Sequence, residues 1–178
     1  MALDPKSADR DRPLRPGVRV AAVVSSFHDE LTGAMLASAR RELVLCGMAE
    51  ADFEVAWVPG SFELPLAARR FARRADVDAV LALGLVLTGE TTHDRWVAQG
   101  ATLGLMQASL ETDTPILFGV LTCQSLEQAR ARALPPEAGG REDKGREVAR
   151  AAVATLNALD RIDGAGETAG AAAREDRP

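Results

Sequence analysis

Residues 89–94, Gly-Glu-Thr-Thr-His-Asp, combine a turn, a helix start and a titratable ring. Gly89 relaxes the turn, and Thr91 followed three residues later by Asp94 has the form of a capping box. The first backbone amides of the helix would then remain unpaired and, together with the helix dipole, form a site for an anion. The alternative is that the segment is only a good helix start, and the four-residue pattern alone slightly favours this alternative. No Gly-Lys-Ser/Thr follows, so the segment is not a P-loop.

His93 is one of two histidines in the chain and lies in the first turn of this predicted helix. A helix N-terminus disfavours the imidazolium, so we expect a neutral ring near pH 7 that can accept a proton and return it. A lone histidine is otherwise often structural or exposed, and the neighbouring anion site is what favours catalysis here. No second His or Cys lies at a metal-ligand spacing, so the pattern predicts no metal.

Four further side chains follow predicted strands or end a predicted helix. Arg132 suits a bidentate phosphate contact, although such a residue taken alone is usually an ordinary surface arginine. Glu63 is either a first-turn acid or an acceptor for the hydroxyls of a polyol, and Phe27 and Phe62 belong to loops. A ring on a loop is exposed unless it stacks on another group. Without a nucleophile elbow or a G-x-G-x-x-G motif, these residues predict a phosphorylated, partly planar small substrate, proton transfer by one His, and no cofactor.

Composition narrows the class of protein before any element is assigned. The 178 residues correspond to about one domain, with 47% apolar and 26% charged residues. A net charge of −5 does not favour a general nucleic-acid binder. No apolar stretch reaches the roughly 18 residues of a membrane span, and the polar N-terminus has no signal-peptide core. Cys46 and Cys123 lie in apolar surroundings and are expected to be free thiols, which fits a cytoplasmic protein.

Short apolar runs alternate with helical periodicities, which predicts an α/β fold with a parallel sheet covered on both faces. The strands are expected at 18–26, 53–60, 78–87 and 115–122. The helices are expected near 29–47, 63–75, 89–112, 125–133 and 141–159. In the third helix the residues expected to face the core are Val97, Ala101, Leu105, Ala108 and Leu110. Residues 1–17 are predicted to be a flexible arm, 18–162 the folded domain, and 163–178 a disordered tail.

Ligands of such sheets bind beyond the carboxyl ends of the strands, and the candidate residues follow the strands. Taken in order, the segments resemble the motifs of the 6,7-dimethyl-8-ribityllumazine synthase family over about residues 18–160. The motifs are VVSSF (23–27), VPGSFELP (58–65), ALGLVLTGETTHDRWV (82–97), PILFGVLT (115–122), SLEQARARA (125–133) and DKG (143–145). The resemblance implies a flavodoxin-like three-layer α/β/α sandwich with a four-stranded parallel sheet. An N-terminal strand from a neighbouring subunit extends that sheet in the family.

The implied reaction belongs to riboflavin biosynthesis. It condenses 5-amino-6-(D-ribitylamino)uracil with 3,4-dihydroxy-2-butanone 4-phosphate, releases phosphate and water, and uses neither cofactor nor metal. By resemblance, His93 is the proton-transfer residue and Arg132 the phosphate-binding arginine. The substrate-binding positions on the pyrimidine and ribityl side would be Phe27, Ser61, Phe62, Glu63, Leu85, Val86 and Leu87. Those on the butanone phosphate side would be Gly89, Glu90, Thr91, Thr92 and Phe118, and Lys144 matches the family's lysine.

Three positions depart from the family's pattern. His28 replaces the usual Asn after the Phe, and Thr88 replaces a basic residue before the Gly. Asp94-Arg95-Trp96 replaces an aromatic–acid–aromatic sequence, so that an acid adjoins His93. These departures leave two alternatives open beside the enzyme: a non-catalytic flavin- or lumazine-binding module, and a structural oligomer without activity.

The resemblance also implies a homopentamer with its active sites between neighbouring subunits. Some members assemble pentamers into a closed shell, and those have a short, glycine-rich link between the last two helices. Here the link, residues 132–145, is longer and contains Pro135-Pro136, so we expect free or loosely paired pentamers. Riboflavin synthase is a candidate partner, whereas no nucleic-acid or membrane partner is expected.

Overall fold

The computed structural model describes residues 13–175, with side chains described up to residue 164. Its strands are β1 (Val20–Ser25), β2 (Phe53–Val58), β3 (Ala79–Leu87) and β4 (Ile116–Cys123). Its helices are α1 (Asp29–Leu45), α2 (Leu64–Ala72), α3 (His93–Thr112), α4 (Leu126–Ala133) and α5 (Lys144–Glu175). Short 3-10 turns cover Glu50–Asp52, Ser61–Glu63 and Pro136–Ala138. The predicted α/β fold with a four-stranded parallel sheet is confirmed.

The strands pair in the order β2-β1-β3-β4, and every pair is parallel. All six residues of β1 are buried, and so are eight of the nine residues of β3, because helices cover both faces of these central strands. The chain proceeds from β1 to one side of the sheet and then crosses back to form β3 on the other side. The carboxyl ends of β1 and β3 therefore border the crevice where parallel sheets bind ligands.

Alternate residues of β1 belong to two different hydrophobic cores, one on each face of the sheet. Val20, Ala22 and Val24 pack with α1, α4 and α5 in one layer, whereas Ala21 and Val23 pack with α2 and α3 in the other. Side chains of successive strand residues point to opposite faces, so a continuous apolar run supplies both layers at once. The result is the expected three-layer sandwich.

The outer face of α3 differs from the prediction. Leu110 is expected from its spacing to face the core, yet 79% of its surface is exposed, whereas Ala101, Leu105 and Ala108 are buried. The helix carries a second apolar stripe, formed by Leu103, Met106 and Leu110 at spacings of three and four. The prediction for Leu110 is wrong because its spacing from the buried residues is only roughly helical. Leu110 belongs instead to the exposed stripe with Leu103 and Met106.

The two ends of the described chain also differ from the sequence expectations. Leu14 is buried and its N–H donates to the Cys46 carbonyl at 2.8 Å, so this end of the expected arm packs on the domain. Residues 1–12 lie outside the described residues. Helix α5 continues to Glu175 instead of ending near Leu159, which makes the backbone helical over most of the segment predicted as a disordered tail. Ala and Glu after Asp163 are good helix formers even without an apolar face. Residues 176–178 also lie outside the described residues.

No helix within the described part of the chain has the length and apolarity that a membrane crossing requires.

Candidate active site

A cavity of about 540 Å³ opens at the carboxyl ends of β1 and β3. Ten of the residues predicted for the site line it: Phe27, Ser61, Phe62, Glu63, Leu85, Val86, Leu87, Gly89, Thr91 and His93. Five further residues, which the sequence motifs did not assign to the site, also line it: His28, Gly60, Asp94, Trp96 and Val97. All five lie within four positions of a predicted one, and Trp96 follows His93 by about one helical turn. Their closeness in the sequence to predicted site residues is the signal that could have identified them.

The Phe27 ring lies over the turn that follows β2. Ser26 N–H donates to the Val58 carbonyl at 2.8 Å and Phe27 N–H to the Pro59 carbonyl at 3.2 Å, so the pairing of β1 with β2 continues past the strand ends. A Cβ placed on Gly60 would lie 3.4 Å from Phe27 Cδ2, which shows how closely the ring approaches that backbone. With 68% of its surface exposed, the ring is available to stack on a ligand.

The residue after Phe27 has an unusual backbone conformation. His28 has φ 58° and ψ 48°, in the left-handed region that Asn and His enter more readily than most side chains. Its carbonyl accepts the N–H groups of Leu31 and Thr32 at 2.9 and 3.1 Å and so begins α1. This change of backbone direction between β1 and α1 leaves His28 on the wall of the cavity.

Hydrogen bonds connect the turn Ser61–Glu63 to β3 and to Gly60, the residue that precedes the turn. Ser61 is buried, and its Oγ donates to the Leu85 carbonyl at 3.4 Å. Glu63 Oε2 accepts the Gly60 N–H at 2.9 Å while the side chain remains exposed at the cavity. Glu63 is therefore a turn-stabilising acid, which is one of the two roles that its position in the sequence predicts. Its second carboxylate oxygen makes no such bond to Gly60.

The start of α3 differs from the expected capping box. The helix begins at His93 and its N-cap is Thr92, whose side chain makes no capping hydrogen bond. Thr91 Oγ1 accepts the His93 N–H at a long 3.4 Å, and Asp94 becomes the second helical residue. The capping-box prediction is wrong because the helix starts one residue later than the pattern required. Without a strong side-chain cap, the helix start remains suited to an external anion.

Five predicted residues do not line this cavity: Glu90, Thr92, Phe118, Arg132 and Lys144. Phe118 is 43% exposed on β4, an edge strand of the sheet. Arg132 lines a separate polar depression of about 450 Å³. Lys144 Nζ lies 3.1 Å from Glu147 Oε2 at the start of α5. One chain therefore presents the His93 cavity and the Arg132 depression as two distinct surfaces.

Two further observations concern the cysteines and the potential metal-binding side chains. Cys46 and Cys123 are free, and burial raises the pKa of each thiol above its ordinary value. Among the described residues, no three His, Cys, Asp or Glu side chains group in a way that could hold a metal ion.

Known proteins similar to this chain belong to one family. Residues 17–160 match the family described as 6,7-dimethyl-8-ribityllumazine synthase. A 6,7-dimethyl-8-ribityllumazine synthase of Thermus thermophilus is 47% identical over 147 residues, which are 82% of this chain and 90% of that protein. Those of Clavibacter michiganensis and Salinibacter ruber are 45% and 43% identical, covering 92% and 83% of this chain and 95% and 92% of theirs. The chain belongs to the 6,7-dimethyl-8-ribityllumazine synthase family.

Proposed function

We propose that this chain condenses 5-amino-6-(D-ribitylamino)uracil with 3,4-dihydroxy-2-butanone 4-phosphate to 6,7-dimethyl-8-ribityllumazine in riboflavin biosynthesis. The observation that carries the proposal is one cavity bordered by an exposed ring, a carboxylate and a histidine at a helix start. Phe27, Glu63 and His93 supply these three groups around about 540 Å³. This volume suits a small heterocyclic substrate, since ligand pockets of proteins usually measure about 300–1,000 Å³.

The pyrimidine substrate is proposed to bind on the side of Phe27. Its flat ring stacks on the phenyl ring, and the backbone at Leu85–Leu87 meets the uracil edge at the end of β3. The ribityl hydroxyls donate to the Glu63 oxygen that Gly60 does not use. Ser61 holds the turn against β3 and Phe62 lies beside it. A carboxylate with one oxygen fixed by the backbone is a preoriented acceptor, which lowers the entropy lost on binding.

The phosphate of the second substrate is proposed to bind at the turn 89–92, with Arg132 as its cationic partner. The first amides of α3 and the helix dipole favour an anion there, and the guanidinium adds directional charge-assisted hydrogen bonds. Phe118 would line the butanone side, and Lys144 would take the place of the family's substrate-binding lysine. Holding both substrates in contact supplies much of the rate through proximity.

The proposed reaction includes several proton transfers, and we assign them to His93. The 5-amino group of the pyrimidine adds to the ketone carbon, and loss of water gives an imine. Removal of the C3 proton of the butanone part and loss of phosphate from C4 give an enol, which becomes a ketone. The ribitylamino nitrogen then adds to this carbonyl and closes the second ring with loss of another water. A ring that accepts and returns protons serves each step. No electrons pass to an external acceptor, so the sequence needs no redox cofactor.

We propose that the complete site forms between two subunits of a homopentamer. Within one chain Arg132 and Phe118 do not line the cavity of His93. The exposed stripe Leu103, Met106 and Leu110 supports association, because a contiguous exposed apolar patch on a helix usually marks an interaction surface. A ring built from one repeated contact brings the cavity of one subunit to the Arg132 surface of the next. We expect the enzyme to act in the cytoplasm, where its two free thiols are stable.

The test is to mix the purified protein with both substrates and follow lumazine absorbance together with phosphate release. The function predicts acceleration over the uncatalysed reaction, and its absence would reject the proposal. Arg132→Ala should cause a large loss of kcat/KM for the butanone phosphate. Arg130→Ala is the matched control, since Arg130 lies on the same helix and has an exposed ion pair with Glu30 at 3.9 Å. It should retain nearly wild-type turnover.

A further inference from the structure

The long link between α4 and α5 folds back onto α4. Arg141 N–H and Glu142 N–H both donate to the Ala131 carbonyl, at 2.7 and 2.9 Å. The link is tightly packed at Gly140, where a Cβ would lie 1.7 Å from the Leu134 carbonyl oxygen. These contacts hold the segment before α5 against the C-terminal turn of α4. They bring a carboxylate from the link beside the arginine that the proposed function assigns to phosphate.

That carboxylate belongs to Glu142. Arg132 Nη1 donates to Glu142 Oε2 at 3.1 Å and to Oε1 at 3.4 Å. Both oxygens thus share one guanidinium nitrogen, so the pair is not the two-nitrogen fork that gives arginine its strongest carboxylate contacts. Among the residues that the structure describes, Glu142 is the one carboxylate that forms an ion pair with Arg132.

The ion pair is open to solvent, so a second anion can reach it. Both side chains are nearly half exposed, 43% for Arg132 and 45% for Glu142, so a ligand can reach the guanidinium from solvent. They line the same polar depression as Arg141, Gln128 and Ser125, which add a second guanidinium and uncharged hydrogen-bonding groups, and as Glu127, which adds a second carboxylate. An incoming phosphate would compete for the guanidinium donors that the Glu142 carboxylate now occupies.

We propose that Glu142 is an intramolecular competitor of the substrate phosphate for Arg132, and that it weakens binding of both the butanone phosphate and the phosphate product. The proposal rests on the proposed function, in which Arg132 binds that phosphate. Substrate displaces the carboxylate from Arg132, and the carboxylate returns when phosphate leaves. Because exposed ion pairs contribute little, its removal should tighten phosphate binding by up to about fivefold, equivalent to ~1 kcal/mol.

The test compares Glu142→Gln with Glu137→Gln in the full-length protein. Glu137 belongs to the same link and forms a weak ion pair with Arg41 at 3.6 Å, so its variant removes the same charge without touching Arg132. Glu142→Gln should lower the KM for the butanone phosphate and the inhibition constant of inorganic phosphate, each by about three- to fivefold. The KM for the ribitylaminouracil should stay unchanged, and Glu137→Gln should change none of these values.

A double variant isolates the competition. In the Arg132→Ala background, Glu142→Gln should no longer affect phosphate affinity, because the shared partner is gone. If Glu142→Gln leaves phosphate affinity unchanged, or weakens it, the competition is refuted; weaker binding would identify Glu142 as a residue that positions Arg132. Loss of activity in Arg132→Ala would leave the proposed function standing in that case. Nearly wild-type turnover of Arg132→Ala would instead refute the phosphate role of Arg132 itself.

Discussion

At the scale of single residues, Glu63 stabilises a turn and still presents a carboxylate to the cavity. One oxygen accepts the Gly60 N–H at 2.9 Å, while the carboxylate remains exposed at the cavity. From sequence, the roles of first-turn acid and hydroxyl acceptor are alternatives. They are compatible in the fold because a carboxylate has two oxygens, each with its own acceptor sites.

Glu63→Gln separates the two roles. The amide oxygen of Gln can still accept the Gly60 N–H, so we expect the melting temperature to stay close to that of the wild type. Loss of the negative charge should raise the KM for the ribitylaminouracil. Glu63→Ala removes the acceptor as well and should lower stability by about 0.5–2 kcal/mol, as lost caps do. Thermal unfolding and steady-state kinetics on both variants check this; an unchanged KM in Glu63→Gln would contradict the binding role.

His93→Ala addresses the proton-transfer role. General acid–base assistance contributes only part of the rate, so we expect kcat to fall by about 10–100-fold, less than the loss of kcat/KM expected for Arg132→Ala. Arg95→Ala is the control, because Arg95 is exposed in the same helical turn and does not line the cavity. Initial rates at saturating concentrations of both substrates measure the effect. A kcat equal to that of the Arg95 variant would exclude His93 from proton transfer.

At the scale of elements, the packing of β3 against the turn Ser61–Glu63 shapes the cavity floor. Gly84 lies in β3 one residue before Leu85, whose carbonyl accepts the Ser61 hydroxyl. A Cβ at Gly84 would lie 2.6 Å from Ser61 Oγ and 3.0 Å from Leu64 Cδ1. The strand and the turn approach this closely only because position 84 has no side chain.

Gly84→Ala should therefore displace the turn. We expect a loss of about 1–3 kcal/mol in the free energy of unfolding, as overpacked cores show, and a higher KM for the ribitylaminouracil. Gly33→Ala is the control because its added Cβ would meet only Trp57 Cη2, at 3.9 Å. In α1, Ala is favoured over Gly by up to about 1 kcal/mol, so this variant should be as stable as the wild type or more so. Denaturant unfolding measures the stability of both variants. Equal stabilities of the Gly84 and Gly33 variants would disprove the close packing at Gly84.

At the scale of the whole molecule, two separate surfaces must meet if the proposed site is to work. Co-expression of His93→Ala and Arg132→Ala subunits tests this in mixed assemblies. With random mixing, about a quarter of the contacts would join an intact His93 to an intact neighbouring Arg132. Mixed assemblies, purified through two different affinity tags, should regain about that fraction of wild-type activity. Activity no higher than the average of the two separate variants would show that each chain works alone.

The long link also bears on assembly size. Within the link, the N–H groups of Arg141 and Glu142 bond back to Ala131 of α4, so the link does not form a short, glycine-rich connection. We therefore expect a particle of five chains of 18.8 kDa each, or a loose pair of such particles. Size-exclusion chromatography with light scattering measures the mass. A megadalton particle would contradict the expectation and indicate a closed shell.

The sequence alone is sufficient to predict the secondary-structure elements and many of the residues that line the cavity. All four strands overlap the predicted apolar runs, because strands buried on both faces require continuous apolar residues. Phe27, Glu63 and His93 can be grouped from the sequence because each of them follows a strand. Parallel strands end at a common edge, so the residues that follow them lie close together.

Only the tertiary structure decided which face each side chain presents and which distant groups meet. Leu110 is exposed although its spacing allowed burial, and α3 begins one residue later than the Thr91–Asp94 pattern suggested. The pairing of Arg132 with Glu142 depends on how the link folds back, for which no local periodicity exists. Periodic burial is visible in sequence because it repeats along the chain, whereas these contacts depend on single long-range distances.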